Sequence, residues 1–357
     1  MKSSSIFQPS RRSFLLGTGA AALCTPAIFT SARADDRVIL TRDAGGPVAK
    51  AYTAAYYEPF EKETGIKVIG IPSGAAPLAL VKSIVETKSY TWDLVGGLTL
   101  ASIAQLRDQG DYLEEIGLDD SEAVRQIPAG MRNDYGVGIE TFATVLGYRT
   151  DTVENVPQSY ADFWNVKDFP GRRAMRKSPL DSVEQALLAD GVPADQLYPC
   201  DLDRAFKKLD EIKPHISSWW SEGAQATQLL ISGEVDICPT WSSRVQTAKD
   251  QGAPVEIMWN QNTWGVGCWS IIKGTPKADL CREFIAFASQ AKCQAIMGNE
   301  NVNGPVNPEA YRLIDPARAE MLPSAPDHIS RSIQVNEAFW AENADKAIER
   351  FTAWLIA

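Results

Sequence analysis

The chain has 357 residues, 45% of them hydrophobic, which is enough for one large or two medium globular domains. Its formal net charge of −10 repels nucleic-acid phosphates and anionic lipid surfaces, so charge argues against both as partners. With only two histidines, a three-histidine metal site is excluded outright.

The first predicted element is an export signal. Arg11-Arg12-Ser13-Phe14-Leu15 precedes an apolar run from Thr18 to Phe29 and the small-residue site Ala32-Arg33-Ala34. A basic pair, an apolar core and an Ala-x-Ala ending form the layout of a cleaved signal, and adjacent arginines before Ser-Phe-Leu resemble the twin-arginine signal of bacteria. The apolar run is too short to span a bilayer, which takes about 20 residues. Cys24 follows Leu23 rather than the small residue that normally precedes a lipid-anchored cysteine, so no anchor is expected. Cleavage after Ala34 would leave a soluble periplasmic chain that starts at Asp35. Loss of Lys2, Arg11, Arg12 and Arg33 leaves 31 basic and 45 acidic side chains, a net charge of −14. Signals of this type often serve enzymes that fold around a cofactor before export, so an exported enzyme and a binding protein both stay open.

Val38-Ile39-Leu40 reads as a buried strand, and Val48, Tyr52, Ala55, Tyr56 and Phe60 give one face of a helix that ends at Gly65 and is kinked by Pro59. A strand over 66–71, a helix over 78–85 and a strand over 92–95 follow. Strands alternating with helices at this spacing predict an α/β protein with a mainly parallel sheet covered on both faces. Thr144 to Tyr148 is apolar and lies between two such units, the candidate crossover between lobes. Further helices are expected over 201–213, 224–232 and 243–249, with strands over 235–238, 255–259 and 268–272. Leu280, Phe284, Phe287 and Ala288 mark another helix, and Trp340, Ala344, Ile348, Phe351 and Leu355 mark a last one facing the core.

No constellation for catalysis emerges. The sequence has no G-x-S-x-G, no P-loop and no H-E-x-x-H, and neither Gly136-Val137-Gly138 nor Gly265-Val266-Gly267 completes a dinucleotide fingerprint. No cofactor and no metal are expected, and the chain is not expected to be an enzyme. The five cysteines beyond the signal, Cys200, Cys238, Cys268, Cys281 and Cys293, include no C-x-x-C pair. They read as buried free thiols, with a single disulfide as the alternative. Six of the ten tryptophans fall between Trp219 and Trp269. In α/β proteins ligands dock beyond the carboxyl ends of the strands, which makes Trp241, Trp219 and Trp264 candidates for contact.

Four stretches in order carry a resemblance: Phe60-Glu61-Lys62-Glu63-Thr64-Gly65-Ile66-Lys67-Val68, Trp92-Asp93-Leu94-Val95, Asp168-Phe169-Pro170-Gly171-Arg172, and Gly233-Glu234-Val235-Asp236-Ile237 with Trp241 at the strand end. Together they resemble the polyamine-type branch of the periplasmic solute-binding proteins of ABC importers, over nearly the whole mature chain. The resemblance implies the two-lobed type II periplasmic binding protein fold, with each lobe a mainly parallel sheet flanked by helices and two crossover strands as hinge. It implies lobe 1 in 35–146 and 258–305, lobe 2 in 147–257 and 306–357, a small-molecule ligand in the cleft, delivery to an inner-membrane permease, and a monomer.

The family pattern breaks at the ligand. Polyamine binders place an aspartate three positions after the strand-end tryptophan, and here that position is Arg244. The family's other acids correspond to Asp43 and to Leu180 or Asp181. Arg244 falls in the first turn of a helix that starts at Ser242-Ser243, where backbone N–H groups, a serine hydroxyl and a guanidinium suit a carboxylate and repel an ammonium. With Asp43 and Asp181 left for an amine and Trp241 for a ring face, the expected ligand is a small zwitterion, an ω-amino acid or an opine-like condensate. A plain polyamine is the alternative.

Overall fold

The computed structural model describes residues 37–73 and 77–357; the expected signal and the start at Asp35 lie outside the described residues. The strands are β1 (Val38–Asp43), β2 (Lys67–Pro72), β3 (Leu94–Leu98), β4 (Arg132–Asn133), β5 (Gly136–Arg149), β6 (Arg173–Arg176), β7 (Ile216–Trp220), β8 (Ile237–Trp241), β9 (Val255–Ile271), β10 (Gly304–Pro305) and β11 (Ser332–Gln334). They join in one sheet of order β2-β1-β3-β9-β5-β8-β6-β7, with β4 and β10 paired to β5 and β11 to β9. At one end β2, β1 and β3 run parallel, and at the other β7, β6 and β8 do. Between them β5 and β9 run antiparallel to each other, and each is antiparallel to its outer neighbour, β8 and β3 respectively. The fold is therefore a two-lobed α/β arrangement of mixed sheet, parallel at each end, with two long strands crossing in opposite directions.

Those crossing strands are longer than the sequence pattern predicts. Thr144–Tyr148 is the carboxyl-terminal part of β5, and the two runs expected over 255–259 and 268–272 fall in the single strand β9, which ends at Ile271. The polar residues Asn260, Gln261 and Asn262 suggest a loop. They instead bulge: Gln261 has φ +59° and the β5–β9 register jumps between Thr144 and Leu146.

Alternation along the strands builds the core. In the second parallel group Met175 and Ile237 face one apolar layer with Phe163, Leu187 and Phe206, while Ala174 and Cys238 face another with Trp220, Leu230 and Val245. The first group packs Phe60, Tyr56, Trp269 and Phe284. Ala310, Ile314 and Leu322 pack with Ala295 and Val302. The last helix, Glu337–Ile356, buries Trp340, Ala344, Ala347 and Phe351. Ile348, expected on that stripe, is largely exposed because the 3.6-residue repeat turns Ala347 inward instead.

The predicted helix over 48–65 is a helix Gly46–Tyr52, a π turn Thr53–Tyr57 and a helix Glu58–Thr64 closed by Gly65 in the left-handed region. Pro59 has no N–H and its ring crowds the carbonyl one turn back, so the chain widens into the π turn just before it. All five described cysteines are buried free thiols, and the disulfide alternative is not formed. No described helix is long and apolar enough to cross a membrane.

Candidate functional site

Parallel strands end on the same side, and this brings Arg176, Trp220 and Trp241 together at the carboxyl ends of β6, β7 and β8. Trp220 meets Trp241 edge-to-face at 5.5 Å, and the Arg176 guanidinium lies 5.0 Å from the Trp241 ring centre. The chain then turns directly into the helix Ser242–Asp250, for which Trp241 is the capping residue. Arg244, in its first turn, lies 5.9 Å from the same ring. Trp241 is half-buried between two guanidiniums.

A cation in the first turn of a helix opposes the helix dipole, so local structure gives no reason for Arg244. The residue is nonetheless only 5% exposed. Its Nε has no hydrogen-bond partner, and among the described residues no carboxylate forms an ion pair with it. Gly223 makes the approach possible: a Cβ there would stand 2.5 Å from Arg244 Nε and 2.7 Å from the Trp241 ring. Burial depresses the Arg244 pKa, and the nearby Glu140 and Glu222 charges oppose that shift.

The opposite wall comes from the first parallel group. Arg42, near the end of β1, donates from Nη1 to the Gly96 carbonyl at 2.8 Å and from Nη2 to the Ser73 carbonyl at 2.9 Å. It too is buried, with its pKa lowered by burial against the pull of Tyr52, Asp43, Glu222 and Glu140. Glu140, on β5, accepts from the Tyr52 hydroxyl at 3.0 Å. Burial raises its pKa, opposed by Asn303, Tyr52, Arg244 and Arg42. Two buried arginines from opposite halves of the sheet thus act on one buried glutamate.

The expected acids are already engaged. Asp181, held at φ +74° inside the start of the helix Pro179–Ala189, accepts from Arg176 Nη1 at 2.7 Å and from the Thr144 hydroxyl at 2.8 Å. Asp43 Oδ1 accepts from the Gly45 N–H at 2.8 Å and so shapes the turn in which Gly46 faces Arg244; its other oxygen lies against Gly70. Burial raises its pKa, opposed by that N–H and by Arg42. Ser242 is buried and donates to the Val302 carbonyl at 3.5 Å. Ser243 lines a groove of about 320 Å³ shared with Gly46, Lys50, Gln246 and Asn301.

Of the other two predicted tryptophans, one is turned away from this group and one packs on the same core as Trp241. Trp219 points to the other face of β7, where it packs on Phe351 and Trp354, and its neighbour Trp220 takes the place beside Trp241. Trp264 lies opposite Ala143 on β9, half-buried between the two cores, and its carbonyl accepts from Val335. Arg42, Glu140, Tyr52, Arg176, Trp220 and Glu222 were not singled out by sequence reasoning. A charged residue inside the apolar run 136–149 was the available signal for Glu140.

Known proteins share this fold. The pattern of the bacterial extracellular solute-binding proteins matches residues 55–325. The gamma-aminobutyric acid-binding protein of Pseudomonas aeruginosa is 34% identical over 338 residues, 92% of this chain and 94% of that one. A solved ABC transporter substrate-binding protein from Bradyrhizobium japonicum superposes with a TM-score of 0.83 at 36% identity, covering 89% of this chain and 99% of that one. MotA of A. tumefaciens B6, solved with glucopine, gives a TM-score of 0.83 at 32% identity over 89% and 99%. The spermidine/putrescine-binding periplasmic protein of Salmonella typhimurium is 25% identical over 213 residues, 57% of this chain and 59% of that one.

Proposed function

This chain belongs to the bacterial extracellular solute-binding proteins, and from that premise we propose that it captures a small nitrogenous solute bearing a carboxylate, an ω-amino acid or an opine-like molecule. It works in the periplasm as the substrate-binding component of an ABC transporter and hands its solute to the permease in the inner membrane. It is a binding protein, not an enzyme.

One observation carries the ligand class: Arg244 is a buried guanidinium without an ion-pair partner among the described residues. A charge in that position is costly unless an anion completes it, and the helix start adds backbone N–H groups to the same end. Trp241 supplies an apolar wall, and Ser243 lies within the same turn. The relatives support this reading, since one matched over 94% of its length is named for gamma-aminobutyric acid. A plain polyamine receptor is the second reading. The spermidine/putrescine relative and the earlier resemblance favour it, but a bare diamine would place an ammonium against Arg244.

Lobe 1 is taken as 35–146 with 258–305 and lobe 2 as 147–257 with 306–357, hinged where β5 and β9 cross. The apolar clusters support that division, with one drawn from 39–139 and 266–306 and two drawn, Ala101 apart, from 143–258 and 333–351. The packing of Ala310, Ile314 and Leu322 on Ala295 and Val302 supports moving that segment from lobe 2 to lobe 1. The twin-arginine route of export stays part of the proposal.

Calorimetric titration of the purified protein with 4-aminobutyrate and with putrescine tests the ligand class. Tighter binding of 4-aminobutyrate is expected. Tight putrescine binding, with 4-aminobutyrate silent, would replace the carboxylate reading by the polyamine one.

A further inference from the structure

We infer that Glu140, on the crossing strand β5, receives the cationic end of the ligand, so that the cleft selects solutes with an ammonium and a carboxylate at opposite ends. The inference rests on the reading of Arg244 as the carboxylate receptor.

Glu140 stands in a run whose neighbours Val137, Ile139, Ala143 and Val145 are all buried apolar residues, and the charges that act on it come from other elements, Arg42 and Arg244. Oε1 accepts from Tyr52, while Oε2 is buried with no hydrogen-bond partner among the described residues. Beside it, Asn303 is buried with its side-chain amide turned to Glu140, and its Oδ1 is without a partner among the described residues. Two unmet acceptors lie at this end, and a buried guanidinium with an unmet donor lies at the Arg244 end. Other buried polar atoms of the chain are unmet too, but a guanidinium and a carboxylate that act on each other while each keeps an unmet atom call for an explanation.

A zwitterion supplies one. An ammonium brings three donors and no acceptor, and a carboxylate brings only acceptors. Bound with its ammonium at Glu140 and Asn303 and its carboxylate at Arg244, it satisfies both ends at once. A diamine would leave Arg244 unmet and add a like charge. A simple carboxylic acid would leave Glu140 and Asn303 unmet. Room at the acidic end is provided by glycines: a Cβ on Gly267 would lie 3.6 Å from both Glu140 Cγ and the Gly97 Cα. The placement on β5 also matters mechanically, because a contact there is made to a strand that runs through both halves of the sheet.

The test compares 4-aminobutyrate with butyrate, which lacks only the amine, on wild type, Glu140→Gln and Arg244→Ala. In Glu140→Gln, 4-aminobutyrate should weaken by about 100-fold or more while butyrate changes less than about threefold, so that discrimination collapses. Equal weakening of both acids, or an undiminished preference for 4-aminobutyrate, would overturn the inference while leaving Arg244 as the carboxylate receptor. Binding that ignores Arg244→Ala, or no saturable binding of 4-aminobutyrate by wild type, would instead remove the underlying reading. Should Glu140→Gln fail to fold, Glu140→Asp serves. Its shorter arm should shift preference from 4-aminobutyrate toward 5-aminopentanoate, and an unchanged order would count against the inference.

Discussion

Arg173 and Arg244 are both buried arginines of the second half of the sheet, and they differ in one respect. Arg173, 1% exposed, donates from Nε to the Phe163 carbonyl at 2.9 Å, from Nη1 to the Gly171 carbonyl at 2.6 Å, and from Nη2 to the Phe169 carbonyl. Burial depresses the pKa of each, yet only Arg173 has its donors met by the fold. Two buried glutamates differ instead in the charges around them. Each keeps its Oε2 unmet, but Glu184 takes two hydrogen bonds on Oε1 from within its own layer and has no cation among the influences on it, whereas Glu140 lies under the influence of two arginines. Burial alone does not mark a functional charge. A buried guanidinium whose Nε the fold leaves unmet, as at Arg244, is the stronger mark.

The sharpest break in the comparison comes from removing the two guanidiniums in turn. Arg173→Ala strips three backbone carbonyls of their donors and should destabilise the protein by roughly 3–5 kcal/mol in denaturant unfolding, with ligand affinity of the folded fraction unchanged. Arg244→Ala should do the reverse: affinity for 4-aminobutyrate falls by roughly 2–4 kcal/mol in titration, and unfolding stability holds or rises because an unpaired buried charge is gone. If Arg244→Ala destabilised the protein as much as Arg173→Ala does, the two residues would be of one kind and the distinction would fail.

Much of the fold is legible in the sequence because periodicity and turn residues report it locally. The first parallel group, the helix over 202–212 and the start of the helix at Ser242 follow from apolar spacing. What the sequence conceals is set by partners far along the chain. The break at Asn260 to Asn262 reads as a loop because Asn260 and Gln261 find their partners far along the chain, at Gln158 and Tyr160. Strand ends told where the site would be, and Trp241 with Arg244 is found there. Asp181 was legible as a carboxylate in place, but nothing local announces that Arg176 and Thr144 occupy it. Trp219 and Trp220 show the limit most simply, since adjacent strand residues face opposite sides and only the pairing of β7 decides which one meets Trp241.

The two glutamates should also separate by pH. Glu184 accepts from the Tyr198 hydroxyl at 2.7 Å and the Trp340 indole at 2.6 Å, yet burial first, and then the Asp181 charge, pushes its pKa up to about 7 from an ordinary 4.5. With the folded-state pKa above the unfolded one, the folded protein holds the proton longer. This contribution to stability is complete below about pH 4.5 and is lost as pH rises through about 7. The loss is of order 2–3 kcal/mol at most. Glu184→Gln, which keeps the shape and removes the titration, should flatten stability between those pH values in chemical denaturation series. An equally steep slope in the variant would assign the effect elsewhere.

Trp241 gives the smallest expected effect and the finest comparison, against Trp219. Both are strand-end tryptophans of the same half of the sheet, and both are half-buried. Trp241 stands between Arg176 and Arg244, where the ring can cover one side of a bound chain of methylenes and shield both guanidiniums from water, which strengthens their pull on a carboxylate. Trp219 instead closes a layer against the last helix through Phe351 and Trp354. Replacement of Trp241 by Ala should therefore cost about 2 kcal/mol of affinity with little change in unfolding stability, and replacement of Trp219 by Ala should cost stability with affinity unaltered. Tryptophan fluorescence provides a second check, because ligand should perturb emission in the Trp219→Ala protein and lose part of that signal in the Trp241→Ala protein. If the two variants behaved alike in both measurements, a strand-end tryptophan beside two arginines would be no more a ligand wall than one packed on a helix, and the cleft would have to be sought away from Trp241.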